Sequence, residues 1–71
     1  MEFEEIDTVY GDTIAKGDIV CFASNYHQIT GEASEDFSEA MVSFPSYNLS
    51  TGDEDEVVFG MDSHVTIFRS Y

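Results

Sequence analysis

Positive charge is almost missing from this chain. Across 71 residues the only formal cations are Lys16 and Arg69, set against fifteen aspartates and glutamates, for a formal net charge of −13 at pH 7. Such a surface repels other polyanions, which argues against direct binding to nucleic acid or to an anionic membrane and favours a basic partner. Cysteine is nearly absent too. Cys21 stands alone, so no internal disulfide can form, and its place in the run IVCFA predicts a small buried core residue. A nucleophilic thiol there would need a cationic neighbour that the chain can scarcely supply. No stretch approaches the roughly 20 apolar residues of a membrane span, and Met1 is followed by neither a basic nor an apolar segment of the secretory type. A soluble, cytoplasmic protein is the expectation. The single proline, Pro45, has no ladder donor and is expected at a strand edge, end or bulge.

What is present suffices for one small domain over residues 1–71. Apolar residues make up 42% of the chain, and six phenylalanines and four tyrosines bury much area per residue. This composition separates the chain from a disordered acidic tail, although its length is near the lower limit for an unstapled core.

The patterning is that of strands. MEFEEIDTVYG alternates at first and then changes period at Ile6 and Val9, which predicts a short strand or extended arm. Gly11-Asp12 and Gly17-Asp18 are turn signals, and Ile19 to Ala23 reads as a buried strand. Tyr26 to Thr30 is the next candidate. Ala40, Val42 and Phe44 alternate with Met41 and Ser43, and STGDEDE forms a polar connection to a strand at Glu56 to Phe59. GMDS then turns the chain into a last strand, His64 to Phe68. Ser34 followed by Glu35 and Asp36 resembles a helix start, so a short helix over Ser34 to Met41 rivals the strand reading there. The fold class expected is all-β, with that one helix as its variant, in a small antiparallel barrel or sandwich of about five strands.

The layout VYGDTIAKGDIVCF, followed by mixed strands and a closing DSHVTIF, resembles small SH3-like β-barrel proteins of the phage and bacterial type over residues 9–68. The resemblance implies the barrel alone. The aromatic groove signature of polyproline-binding SH3 domains is missing, so no binding residues carry over.

The acids fall into three groups: Glu2, Glu4, Glu5 and Asp7; Glu32, Glu35, Asp36 and Glu39; and Asp53, Glu54, Asp55 and Glu56. In extended chain, residues two apart point the same way about 6.6 Å from each other. Rows of carboxylates at that spacing imitate a phosphate backbone, and a folded acidic decoy can occupy a groove lined with Lys and Arg. In size and charge the chain is similar to acidic DNA-mimic inhibitors encoded by phages. The second and third groups are therefore the expected partner-binding surface, with Phe37 and Tyr47 as aromatic anchors, although Phe37 folding back to cap the barrel is the competing expectation. Tyr26 and Tyr71 also lie in or beside polar segments.

The expected function is thus a non-enzymatic acidic interaction module for a basic, DNA-binding type of protein, with a homo-oligomeric structural subunit as the alternative. No catalytic residue, metal ligand or cofactor is assigned. Asp18, Cys21 and His27 compose a nucleophile, base and orienter only as a list, and TGDEDE lacks the ligand spacing of an EF-hand loop. His27 and His64 are expected to be strand residues satisfied locally.

Overall fold

Alternation of side chains across successive strands decides the architecture. The computed structural model describes residues 2–70. In chain order the elements are β1 (Phe3–Tyr10), a single 3-10 turn (Gly11–Thr13), β2 (Ile19–Phe22), β3 (Asn25–Ile29), β4 (Ser34–Asp36), β5 (Met41–Asn48), β6 (Asp53–Gly60) and β7 (His64–Ser70). All pairings are antiparallel. The hydrogen-bonded order is β1-β7-β2-β3-β5-β4, and β6 lies on the other edge of β5.

The all-β antiparallel expectation holds, but the sheet has seven strands instead of five and is open. Two differences mark the sheet: β4 is an added strand, and β6 is longer than expected. The segment with a short helix as its rival reading divides into β4 and a turn, because Ser34, Glu35 and Asp36 pair with Ser43, Val42 and Met41. The acids expected in a polar connection are strand residues: β6 starts at Asp53 and stays in register with β5 over eight pairs, from Met41 opposite Gly60 to Asn48 opposite Asp53. Aspartate is a poor strand former, but here a full-length neighbour supplies the ladder and the acidic side chains keep access to water. Among the described residues no ladder joins β1 to β6. Their C-terminal ends nevertheless meet, since the Gly11 and Asp12 amides donate to the Ser63 and Met61 carbonyls at 2.9 and 3.3 Å. A Cβ on Gly11 would collide with the Gly60 carbonyl, so this junction requires glycine.

The inner face of the sheet carries the core. Ile14, Val20, Ile29, Val42, Phe44, Val57, Val65 and Ile67 are buried together, with Val9, Phe22, Phe59 and Met61 packed at the margin. Each such side chain contributes roughly 1.5–3 kcal/mol by leaving water. The inward row of β5 continues as Ser46 and Asn48, both buried. Ser46 Oγ lies 3.1 Å from Nδ1 of His27, itself only 1% exposed, so the two polar groups satisfy each other inside the protein. Asn48 closes the β5–β6 hairpin: its Oδ1 accepts from the amides of Ser50 (2.9 Å) and Thr51 (3.1 Å). Its carbonyl accepts from Gly52, which sits at φ 79°.

Two irregularities have local causes. Pro45 lies inside β5, where its carbonyl accepts from the Thr30 amide at 3.0 Å. Backbone groups of one residue point to the same edge of an antiparallel strand, so the missing donor faces the gap where β4 has ended and β3 begins, away from the β6 ladder. In β1 the register shifts between Glu5 and Asp7, leaving Ile6 as a bulge. Without it Phe3 and Val9 would share a face. With it Phe3 turns outward and Val9 reaches the core margin, which is the change of period visible in the sequence.

Cys21 is exposed rather than buried. Its neighbour Val20 takes the inward position, and strict alternation sends the thiol to the outer face.

Candidate interaction surface

The acidic groups occupy three strands. Glu4, Glu5 and Asp7 belong to β1, Glu35 and Asp36 to β4, and Asp53 to Glu56 to β6; Glu32 and Glu39 flank β4 in its connections. Arg69 Nη2 bonds Glu4 Oε1 at 2.7 Å, an exposed pair worth about 0–1 kcal/mol. Among the described residues no other carboxylate has a cationic partner within 4.0 Å. The charge therefore stays uncompensated.

Register divides the expected binding residues between the two faces. On the outer face of β5, Met41, Ser43, Pro45 and Tyr47 stand in a row, and their β6 partners are Gly60, Val58, Glu56 and Glu54. Asp36 joins this face as the partner of Met41. Glu35, Asp53 and Asp55 project to the other side, beside Val42, Asn48 and Ser46 respectively. Both sets remain exposed, because Asp53 and Asp55 lie beyond the end of the apolar core at Val57. The two acidic strands do not fuse into one field. Two strand spacings across and four residues along separate Asp36 from Glu56 by roughly 16 Å, about two Debye lengths at physiological salt. Within β6, residues two apart repel by only about 0.6 kcal/mol in water before screening.

Exposed apolar groups lie on the same outer face, and two of them, Met41 and Val58, were not expected as site residues. Met41, Tyr47 (41% exposed) and Val58 are open to solvent there. Phe37, in the turn after β4, is 77% exposed and does not fold back as a cap. Met41 and Val58 were legible only as ordinary strand residues, because nothing local records that no second layer covers this part of the sheet. Tyr26 behaves differently. It is half-buried against Phe3 and Phe68, while Tyr71 lies outside the described residues.

The Phe37 turn is tied down by Asp36. Its Oδ1 accepts from Ser38 Oγ at 2.7 Å and from the amides of Ser38 and Glu39 at 3.1 and 3.3 Å. The Ser38 hydroxyl first, then the Glu39 amide, holds the Asp36 carboxyl below its ordinary value by stabilising the anion. Ala40, at φ 53°, completes the reversal into β5.

The nucleophile, base and orienter list does not assemble. Cys21 is on the outer face, whereas His27 is buried on the inner one; Asp18 caps the local turn by accepting from the Ala15 amide at 2.9 Å. His64 is an exposed strand residue tilted against Tyr10. Among the described residues no group of three potential ligands is close enough to hold a metal ion, and no helix is long and apolar enough to cross a membrane. No protein-family model matches this chain, and no match is found among curated proteins or solved structures.

Proposed function

We propose that this protein is a non-enzymatic acidic interaction module whose β6 edge and adjoining outer face engage a basic protein in the cytoplasm. The observation that carries the reading is the register of β6. An edge strand bears Glu54 and Glu56 on one side and Asp53 and Asp55 on the other, with Tyr47 standing beside Glu54. A basic groove closing over this edge meets a row of carboxylates on each wall. Met41, Val58 and Phe37 supply apolar area beyond the charged end, the combination of exposed apolar patch and charged rim expected of a protein-binding surface. In its sharpest form this is a DNA-mimicking inhibitor that occupies the phosphate-binding groove of a nucleic-acid-binding protein, of the kind phages encode. The strand layout that resembles small SH3-like proteins, here an open sheet, supplies a scaffold in this reading and no binding residue.

Affinity capture on the immobilised protein at two ionic strengths tests it. Basic nucleic-acid-binding proteins are expected at low salt, released steeply as salt rises, and absent from the D53N/E54Q/D55N/E56Q variant. Salt-insensitive capture of a neutral protein by both forms would overturn the reading. Light scattering separates it from a homo-oligomeric structural subunit: a monomer is expected, because two acidic β6 edges repel each other.

A further inference from the structure

The ladder between β2 and β7 stops after two pairs, Ile19 with Phe68 and Val20 with Ile67. Continued, it would set Cys21 opposite Thr66. Instead β2 stays with β3 as far as Phe22 opposite Asn25, and Phe22 turns inward to meet Phe59 edge to face at 5.6 Å. The strands part, and a cleft of about 240 Å³ opens between them, lined by Phe59, Val65, Phe68, Cys21, Thr66 and His64 among others. Its interior is apolar and aromatic, and its polar side chains are a thiol, two hydroxyls (Ser63 and Thr66) and an imidazole.

We propose that this cleft is a binding site for a small single-ring aromatic amine. The volume is below the roughly 300 Å³ at which sites for drug-sized ligands begin, which suits one ring with a short chain. Phe59 and Phe68 offer the edges and faces that a ring packs against. The sign of charge follows from the surroundings. Glu5 is the β1 partner of Phe68, and Asp62 lies in the turn that leads into β7. Arg69, the nearest cation in sequence, follows Phe68 and so projects from the other side of β7, where Glu4 holds it. An ammonium group is favoured at the mouth and a carboxylate is opposed.

Three probes of one shape and different charge test this on the full chain: 2-phenylethylamine, 2-phenylethanol and phenylacetate. Cys21 is the sole cysteine, so its alkylation rate by iodoacetamide reports occupancy directly. The amine is expected to slow alkylation several-fold, to shift the amide resonances of Cys21, Val65 and Thr66, and to bind roughly tenfold more tightly than phenylacetate, with the alcohol between them. Thr66→Phe, filling the cleft, should abolish the shifts. Should that variant fail to fold, E5Q/D62N, which alters no group lining the cleft, should remove the preference for the amine while leaving the alcohol bound. Unchanged alkylation and unshifted amides at millimolar amine, or equal binding of all three probes, would overturn the proposal.

Discussion

The outer face of the sheet is treated in opposite ways at its two ends. Where Phe3, Phe68, Tyr26 and Ile19 come together from β1, β7, β3 and β2, the protein covers its own apolar groups, while Ile6 and Tyr10 farther along β1 stay open to solvent. Phe3 stacks on Tyr26 with ring centroids 4.0 Å apart, Phe68 meets Tyr26 edge-on at 5.1 Å, and Ile19 beneath them is only 7% exposed. Where β4, β5 and β6 lie together, Met41, Tyr47 and Val58 have no such cover and stand among carboxylates. Tyr26 and Tyr47 come from equally polar segments, so the contrast arises from which neighbours register delivers. At one end aromatic rings converge from three strands; at the other the neighbours of the apolar groups are Asp36, Glu54 and Glu56. An aromatic group left open in a charged setting is available to a partner, whereas Phe3 and Tyr26, stacked on each other, serve stability.

Substitutions can measure that contrast. Ile19→Ala should cost about 2–4 kcal/mol in urea unfolding, as a buried site under its own aromatic lid, while Val58→Ala should stay within about 0.5 kcal/mol. Equal losses would erase the distinction between the two ends. The seam between them is the pairing of β3 with β5, where His27 and Ser46 share their buried hydrogen bond. Ser46→Ala should cost about 1–3 kcal/mol by stranding a buried ring nitrogen, and H27L/S46A should recover part of that loss. An unaltered midpoint in Ser46→Ala would show that water reaches the ring.

The aromatic end also contains backbone strain. Ala23 and Ser24 form the two-residue turn between β2 and β3 at φ 51° and 68°, the left-handed conformation that asparagine and glycine adopt more readily. A23N/S24G should raise stability by about 1 kcal/mol, read from the denaturation midpoint. The acidic end should respond to salt instead. Screening of the β6 row and its neighbours is expected to raise the melting temperature by a few degrees as NaCl is added. A flat response would mean that the acids are too dispersed to act together.

The smallest effect concerns Asp36. Its folded carboxyl titrates below the ordinary value of 3.8, so the turn's contribution to stability is present above that value and is lost as pH falls through the folded midpoint. In a carboxyl-carbon NMR titration, Ser38→Ala should move the Asp36 midpoint up toward 3.8, and the Glu39 amide should follow the same curve. Failure of the midpoint to move would remove the hydroxyl as its main cause.

Much of the fold was legible along the chain because strand alternation is a local property. The runs at Ile19, Tyr26, Val42, Val57 and Val65 all became strands. The acidic stretch Asp53 to Asp55 did not read as one, since strand propensity counts side chains and cannot see that β5 offers a continuous ladder. Cys21 failed for a related reason. An apolar run gives no phase, so whether the thiol or Val20 faces the core depends on the strands packed beside them. Of the expected site, the residue types were readable, whereas whether Phe37 and Tyr47 stand open or fold back, and the division of Glu54 and Glu56 from Asp53 and Asp55, required the tertiary structure.

The sequence by itself determined an uncompensated negative charge, an all-β class and the positions of most of the strands, because composition and period are written residue by residue. Only the tertiary structure decided which acids share a face, which aromatics are covered and where β2 leaves β7. Those outcomes depend on cross-strand register, a relation between residues tens of positions apart that no local pattern encodes.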